Sequence, residues 1–108
     1  MNALRDKRAL FTRLLPRLID KMIAEGRTPL LGKDGLKHKP GSLNYEGLAG
    51  DIDLFKGDEY LDKTEDHQIF GEFWEGLHPD CYWGGNGPKQ DDLKNDGNHY
   101  CVTYLGKK

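Results

Sequence analysis

The chain has 108 residues, 36% of them hydrophobic and 31% charged, with a formal net charge of −2. Those values describe one small domain with a modest core and a well-solvated surface. Lysines and acids are interleaved, which argues against the basic stripe of a nucleic-acid binder, and no apolar run approaches a membrane span.

The segment Met1 to Leu15 is charged and amphipathic. It lacks the uninterrupted apolar core of a signal peptide, so the expected location is the cytoplasm. Leu10, Phe11, Leu14, Leu15, Leu18, Met22 and Ile23 recur at three- and four-residue spacing and predict an amphipathic helix. Pro16 lies within that stripe. Either the helix starts near Thr12 or Arg13, with Pro16 in its first turn, or the helix is kinked there. Gly26 is placed to cap its C-terminus.

Residues 27–41 read as loop, with any strand confined to Pro29 to Leu31. Leu48 to Phe55 alternates and predicts a strand, with Asp51 and Asp53 on one face and Ile52 and Leu54 on the other. Lys56-Gly57-Asp58 is a turn, and Glu59-Tyr60-Leu61 is a short returning strand. Thr64 is a favourable N-cap for a second helix, with Glu65 and Asp66 in its first turn. Ile69, Phe70, Phe73, Trp74 and Leu77 form its buried stripe, and His78-Pro79 closes it. Trp83-Gly84-Gly85 opens a long polar loop. His99 to Leu105 is a final strand, with His99, Cys101 and Thr103 on one face and Tyr100, Val102 and Tyr104 on the other. These elements predict an α+β domain, a small antiparallel sheet packed with two or three helices, spanning residues 1–108. Cys81 and Cys101 read as reduced, partly buried thiols rather than a disulfide framework.

Asp51 and His99, on adjacent strands, are two of the three protein ligands that a catalytic zinc needs. Asp96 is placed to take a proton from a metal-bound water. Set against this, a strand aspartate is often only solvated, and Asp96-Gly97-Asn98 is a good turn in its own right.

Ser42-Leu43-Asn44-Tyr45-Glu46-Gly47-Leu48-Ala49-Gly50-Asp51 resembles the S-x-H-x-x-G-x-A-x-D signature of zinc peptidases that cut bacterial cell-wall peptides. Leu48 to Phe55 is similar to the Asp-bearing strand of phage L-alanyl-D-glutamate endopeptidases and D-alanyl-D-alanine carboxypeptidases. Thr64 to Glu75, then Leu77-His78-Pro79 and Trp83-Gly84-Gly85, resemble their second helix and following loop, and Asp96-Gly97-Asn98-His99-Tyr100 resembles their D-x-N-H-aromatic motif. The resemblance runs from about Leu10 to Tyr100. It implies a D,D-carboxypeptidase/Hedgehog-like fold, with Asp51 and His99 as zinc ligands and Asp96 as general base. It also makes Ser42 and Trp83 candidate binding residues, although a packed indole is the plainer reading of Trp83.

The chain departs from that pattern where the family's chemistry resides. Asn44 stands at the first His ligand, and an amide oxygen is a weak zinc ligand. No arginine lies between Leu30 and Gly41, where the family binds a substrate carboxylate, and Asn86 follows Trp-Gly-Gly where arginine is usual. His38 and Cys101 are the only nearby substitutes, Cys101 about 7 Å along the strand from His99. His67 and His78, at the ends of the second helix, read as structural or exposed.

The first expectation is a degenerate member of the family, a pseudoenzyme of phage origin in the host cytoplasm, with zinc bound weakly or not at all. It would act by binding a host or phage protein, as an inhibitor such as an anti-CRISPR. The alternative is an active, endolysin-like zinc peptidase acting on peptidoglycan stem peptides.

Overall fold

The computed structural model describes residues 3–32, 47–86 and 97–106. Helix α1 spans Ala3–Ala24 and buries Leu10, Phe11, Leu14, Leu18 and Met22, the apolar stripe read from the sequence. Ile23, at the edge of that stripe, is exposed. The helix starts well before Thr12, and Pro16 lies inside it. Packing of the stripe therefore outweighs the lost hydrogen bond at proline. Pro16 is exposed, so Pro16→Ala is expected to stabilise the fold by about 2 kcal/mol, as measured by urea denaturation. At the C-terminus Gly26, at φ +81°, donates to Ile23 O at 3.0 Å, and Arg27 N–H donates to Met22 O at 2.9 Å. This is the paired-bond glycine cap that orphan helix carbonyls require.

The sheet is antiparallel, with β1 (Thr28–Leu31), β2 (Ala49–Lys56), β3 (Glu59–Leu61), β4 (Cys81–Trp83) and β5 (His99–Val102). Its order is β1-β2-β5-β4, and β3 pairs with β2 as a hairpin through Gly57 at φ +61°. β5 pairs with the N-terminal half of β2 and β3 with its C-terminal half. Strand β4 takes in Cys81 and Tyr82, which no predicted element covered, and Trp83, read as the start of a loop, and β5 ends at Val102, short of Leu105. Leu105 takes a left-handed φ of 52°, which is incompatible with continuing the strand.

A 3-10 turn, Thr64–His67, precedes helix α2 (Gln68–Leu77). Thr64 therefore opens the turn rather than capping α2, and the Asp66 carboxylate accepts from Lys63 N–H at 3.1 Å. Phe70 and Trp74 are fully buried, whereas Ile69 is exposed. Ile52, Leu54, Tyr100 and Val102 form one core with the α1 stripe and with Phe70 and Trp74. Trp74 meets Phe11 and Tyr100 edge-on and donates its indole N–H to Cys101 O at 3.0 Å. Cys81 and Cys101 are buried and unbridged, and burial pushes the Cys81 thiol up to about 11. Among the described residues, no helix is long and apolar enough to cross a membrane.

Candidate functional site

Asp51 and His99 are direct partners across β2 and β5. Hydrogen bonds run from Ile52 N–H to Asn98 O at 2.9 Å and from Val102 N–H to Leu48 O at 2.8 Å. The even-numbered residues of β2 therefore carry the ladder, and Asp51 and His99 form a non-hydrogen-bonded pair. In such pairs the side chains approach most closely. Asp51 Oδ1 lies 3.2 Å from His99 Nδ1, and each side chain is 16% exposed. Alternation puts both on the sheet face opposite Ile52 and Tyr100.

Several contacts fix the start of β5. Gly97 packs so tightly on Thr64 that a Cβ there would sit 2.5 Å from the Thr64 Cα, and its carbonyl accepts the Trp83 indole N–H at 2.6 Å. Trp83 is 1% exposed and packs closely against both Gly71 and Gly85. Trp83, a candidate binding residue whose plainer reading was a packed indole, is thus a core side chain that positions the strand bearing His99. Glu75 orders the segment after β4, accepting from Trp83 N–H at 3.0 Å and from the Asn86 amide at 2.6 Å.

His67, one of the two histidines read as structural or exposed, is 2% exposed, with Nδ1 hydrogen-bonded to Tyr100 O–H at 2.7 Å. Burial lowers its pKa to about 4, against the opposing fields of Asp66 and Asp53. Burial likewise raises the Tyr100 phenol far above its ordinary value. The pair is neutral and structural, directly behind the strand that carries His99. The sequence signal for it was the inward face of Tyr100, whose phenol must find a partner once buried.

On the other side of Asp51, Gly32 N–H donates to Asp51 O at 2.7 Å. A Cβ at Gly32 would approach that oxygen to 3.1 Å and the Asp51 Cβ to 3.5 Å. Glycine therefore keeps the flank of the carboxylate clear.

Two arrangements share a 3.2 Å separation of carboxylate oxygen and ring nitrogen. One is a direct hydrogen bond. The other is one edge of a tetrahedral zinc, whose ligand atoms at about 2.0–2.1 Å lie about 3.3 Å apart. The pair fits that edge. Among the described residues, His99 Nε2 is buried without a hydrogen-bond partner, and a carboxylate or metal at Nδ1 determines whether Nε2 carries the proton. Among the described residues, no group of three or more His, Cys, Asp or Glu side chains comes together to hold a metal. Ser42, Asn44, Asp96 and His38 lie outside the described residues.

The chain matches no protein-family model, no curated protein and no solved structure.

Proposed function

We propose that this chain is a degenerate zinc-peptidase-like domain, with a D,D-carboxypeptidase/Hedgehog-like ancestry, that acts by binding a protein partner. The observation that carries this reading is the Asp51–His99 pair, at the spacing of one edge of a zinc centre. Its third position is filled in the sequence by Asn44, a weak donor. Zinc held by two strong donors and one amide is weakly bound and easily lost. If bound, zinc would polarise a carbonyl and acidify a water, and Asp96 is the candidate base for that water. A phage origin suggests a host or phage protein as partner, with inhibition of a defence complex such as a CRISPR effector as the outcome.

Zinc titration calorimetry tests the metal half of the proposal. The native chain is expected to bind zinc weakly or not at all. Asn44→His is expected to raise affinity by at least the roughly 100-fold that even outer-shell changes command, and Asp51→Ala should cancel the gain. Tight zinc binding by the native chain, with cleavage of peptidoglycan stem peptides, would favour the active-peptidase reading. The match of the 3.2 Å pair to a tetrahedral edge supports that second reading as well. Retention of a specific partner from host lysate, unaffected by Asp51→Ala, tests the binding half.

A further inference from the structure

The two faces of the sheet are covered unequally. Ile52, Leu54, Tyr100 and Val102 share one core with α1 and α2, so both helices lie on their side. Alternation puts Thr28, Leu30, Asp53, Phe55 and Tyr60 on the opposite face. The register there aligns Leu30 with Asp53 and sets Phe55 between Thr28 and Tyr60. Leu30 is 52% exposed and Tyr60 50% exposed. The Phe55 and Tyr60 rings are in contact, with centroids 5.2 Å apart and planes tilted by 41°. From β1 across β2 to β3 this strip is about 10 Å wide.

Among the described strands the charge on this face is of one sign. Asp53 stands within the strip, and Asp51 follows on the same side of β2. Those strands contain no arginine and one lysine, Lys56, which alternates to the other face opposite Glu59. Asp53 receives a long contact from Tyr60 O–H at 3.5 Å. The Tyr60 phenol is raised above its ordinary value, first by burial and then by the fields of Asp53 and Asp62, so the negative potential reaches the ring. Half-exposed apolar side chains edged by carboxylates repel a polyanion. A bare metal ion would use Asp53 and leave Leu30 and the rings uncovered. An arginine uses all of it, because a guanidinium both stacks on an aromatic face and donates two parallel bonds to a carboxylate. An open strip across three strands suits a protein segment rather than an enclosed small molecule.

We propose, resting on the reading that the chain acts by binding a protein, that this open face docks a basic segment of the partner. An arginine of the segment lies on the Tyr60 and Phe55 rings with its guanidinium at Asp53. An apolar residue two positions along the segment covers Leu30.

The test is an NMR titration of the full isotope-labelled chain with acetyl-Arg-Ala-Leu-Ala-Arg-amide, which presents arginine and leucine on one side when extended. The amides of Leu30, Asp53, Phe55 and Tyr60 are expected to shift while those of α2 stay in place. Asp53→Asn should weaken binding about tenfold, and Tyr60→Ala about threefold. If Asp53→Asn disturbs the fold, the exposed Tyr60→Ala carries the comparison. Binding weaker than about 10 mM overturns the proposal, as does equal binding by the peptide with glutamate in place of arginine. A partner retained from host lysate equally by the native chain and by both variants also overturns it, and leaves the protein-binding reading standing. Peptide binding at this face with no lysate partner supports the face and counts against that reading instead. Self-association that Tyr60→Ala abolishes would seat the exposed arginines of α1 from a second copy here, and would overturn the assignment to a partner.

Discussion

Replacing Gly71 by alanine is expected to destabilise the fold by about 3 kcal/mol or more. A Cβ at that position would lie 2.1 Å from the Trp83 Cδ2, far inside contact distance. The indole cannot retreat. Other atoms of its ring meet Gly85, where a Cβ would come within 2.2 Å of Cζ2, and its N–H is held at 2.6 Å by Gly97 O. The helix must move instead, and with it Phe70 and Trp74 on the same buried face. The melting temperature should fall by roughly 12 °C or more for a domain of this size. Gly76, in the same helix, supplies the contrast. It is exposed, and nothing lies within 4 Å of its would-be Cβ. Gly76→Ala should therefore stabilise by about 0.5–1 kcal/mol, through backbone entropy alone. Thermal melts of the two variants give shifts of opposite sign. A Gly71→Ala melt within a few degrees of the native chain would mean that the indole does not pack directly on Gly71.

The second large effect is on acid stability, through His67. Its pKa falls from 6.5 to about 4 on folding because burial disfavours the charged ring. Below 6.5 the unfolded chain takes up a proton that the folded chain refuses, so stability is lost as the pH falls through the window from 6.5 to about 4. Above 6.5 the contribution is fully present. Over the whole window the loss approaches about 3 kcal/mol. His67→Gln retains a hydrogen-bonding partner for Tyr100 and does not titrate. Urea denaturation at pH 7.5 and pH 4.5 should show the native chain losing more stability than the variant by most of that amount. Equal losses in both would sink the assignment.

How much of this was legible depended on the range of the cause. The α1 stripe is a local pattern, and five of its seven members are buried as expected. The alternation of β2 and β5 is also local. It set Asp51 apart from Ile52, and His99 apart from Tyr100, before any pairing was known. The register that makes Asp51 and His99 partners is tertiary, and no local signal specifies it. Cys81-Tyr82-Trp83 escaped notice because three residues between Pro79-Asp80 and Gly84-Gly85 carry more turn signal than strand signal. Pro16 left open a late helix start or a kink, and the late start fails because propensity is a weak prior against a buried stripe. Gly71 reads in sequence only as a flaw in a helix, and its cause, Trp83, lies twelve residues downstream. His67 looked like a helix-end residue because the burial that neutralises it comes from Tyr100, thirty-three residues away.

The Asp51–His99 pair has a consequence for how the chain can change over time. Strands slide past one another only in whole residues. A slip of one would send the carboxylate and the imidazole to opposite faces, and a slip of two would part them by nearly 7 Å. No intermediate spacing is accessible to gradual adjustment. The contact is therefore kept or lost in one step, together with the glycine and tryptophan contacts that set the register. Side chains supplied by loops can drift one at a time without disturbing it. A chain of this kind can shed the peripheral parts of a site and still carry its central pair intact.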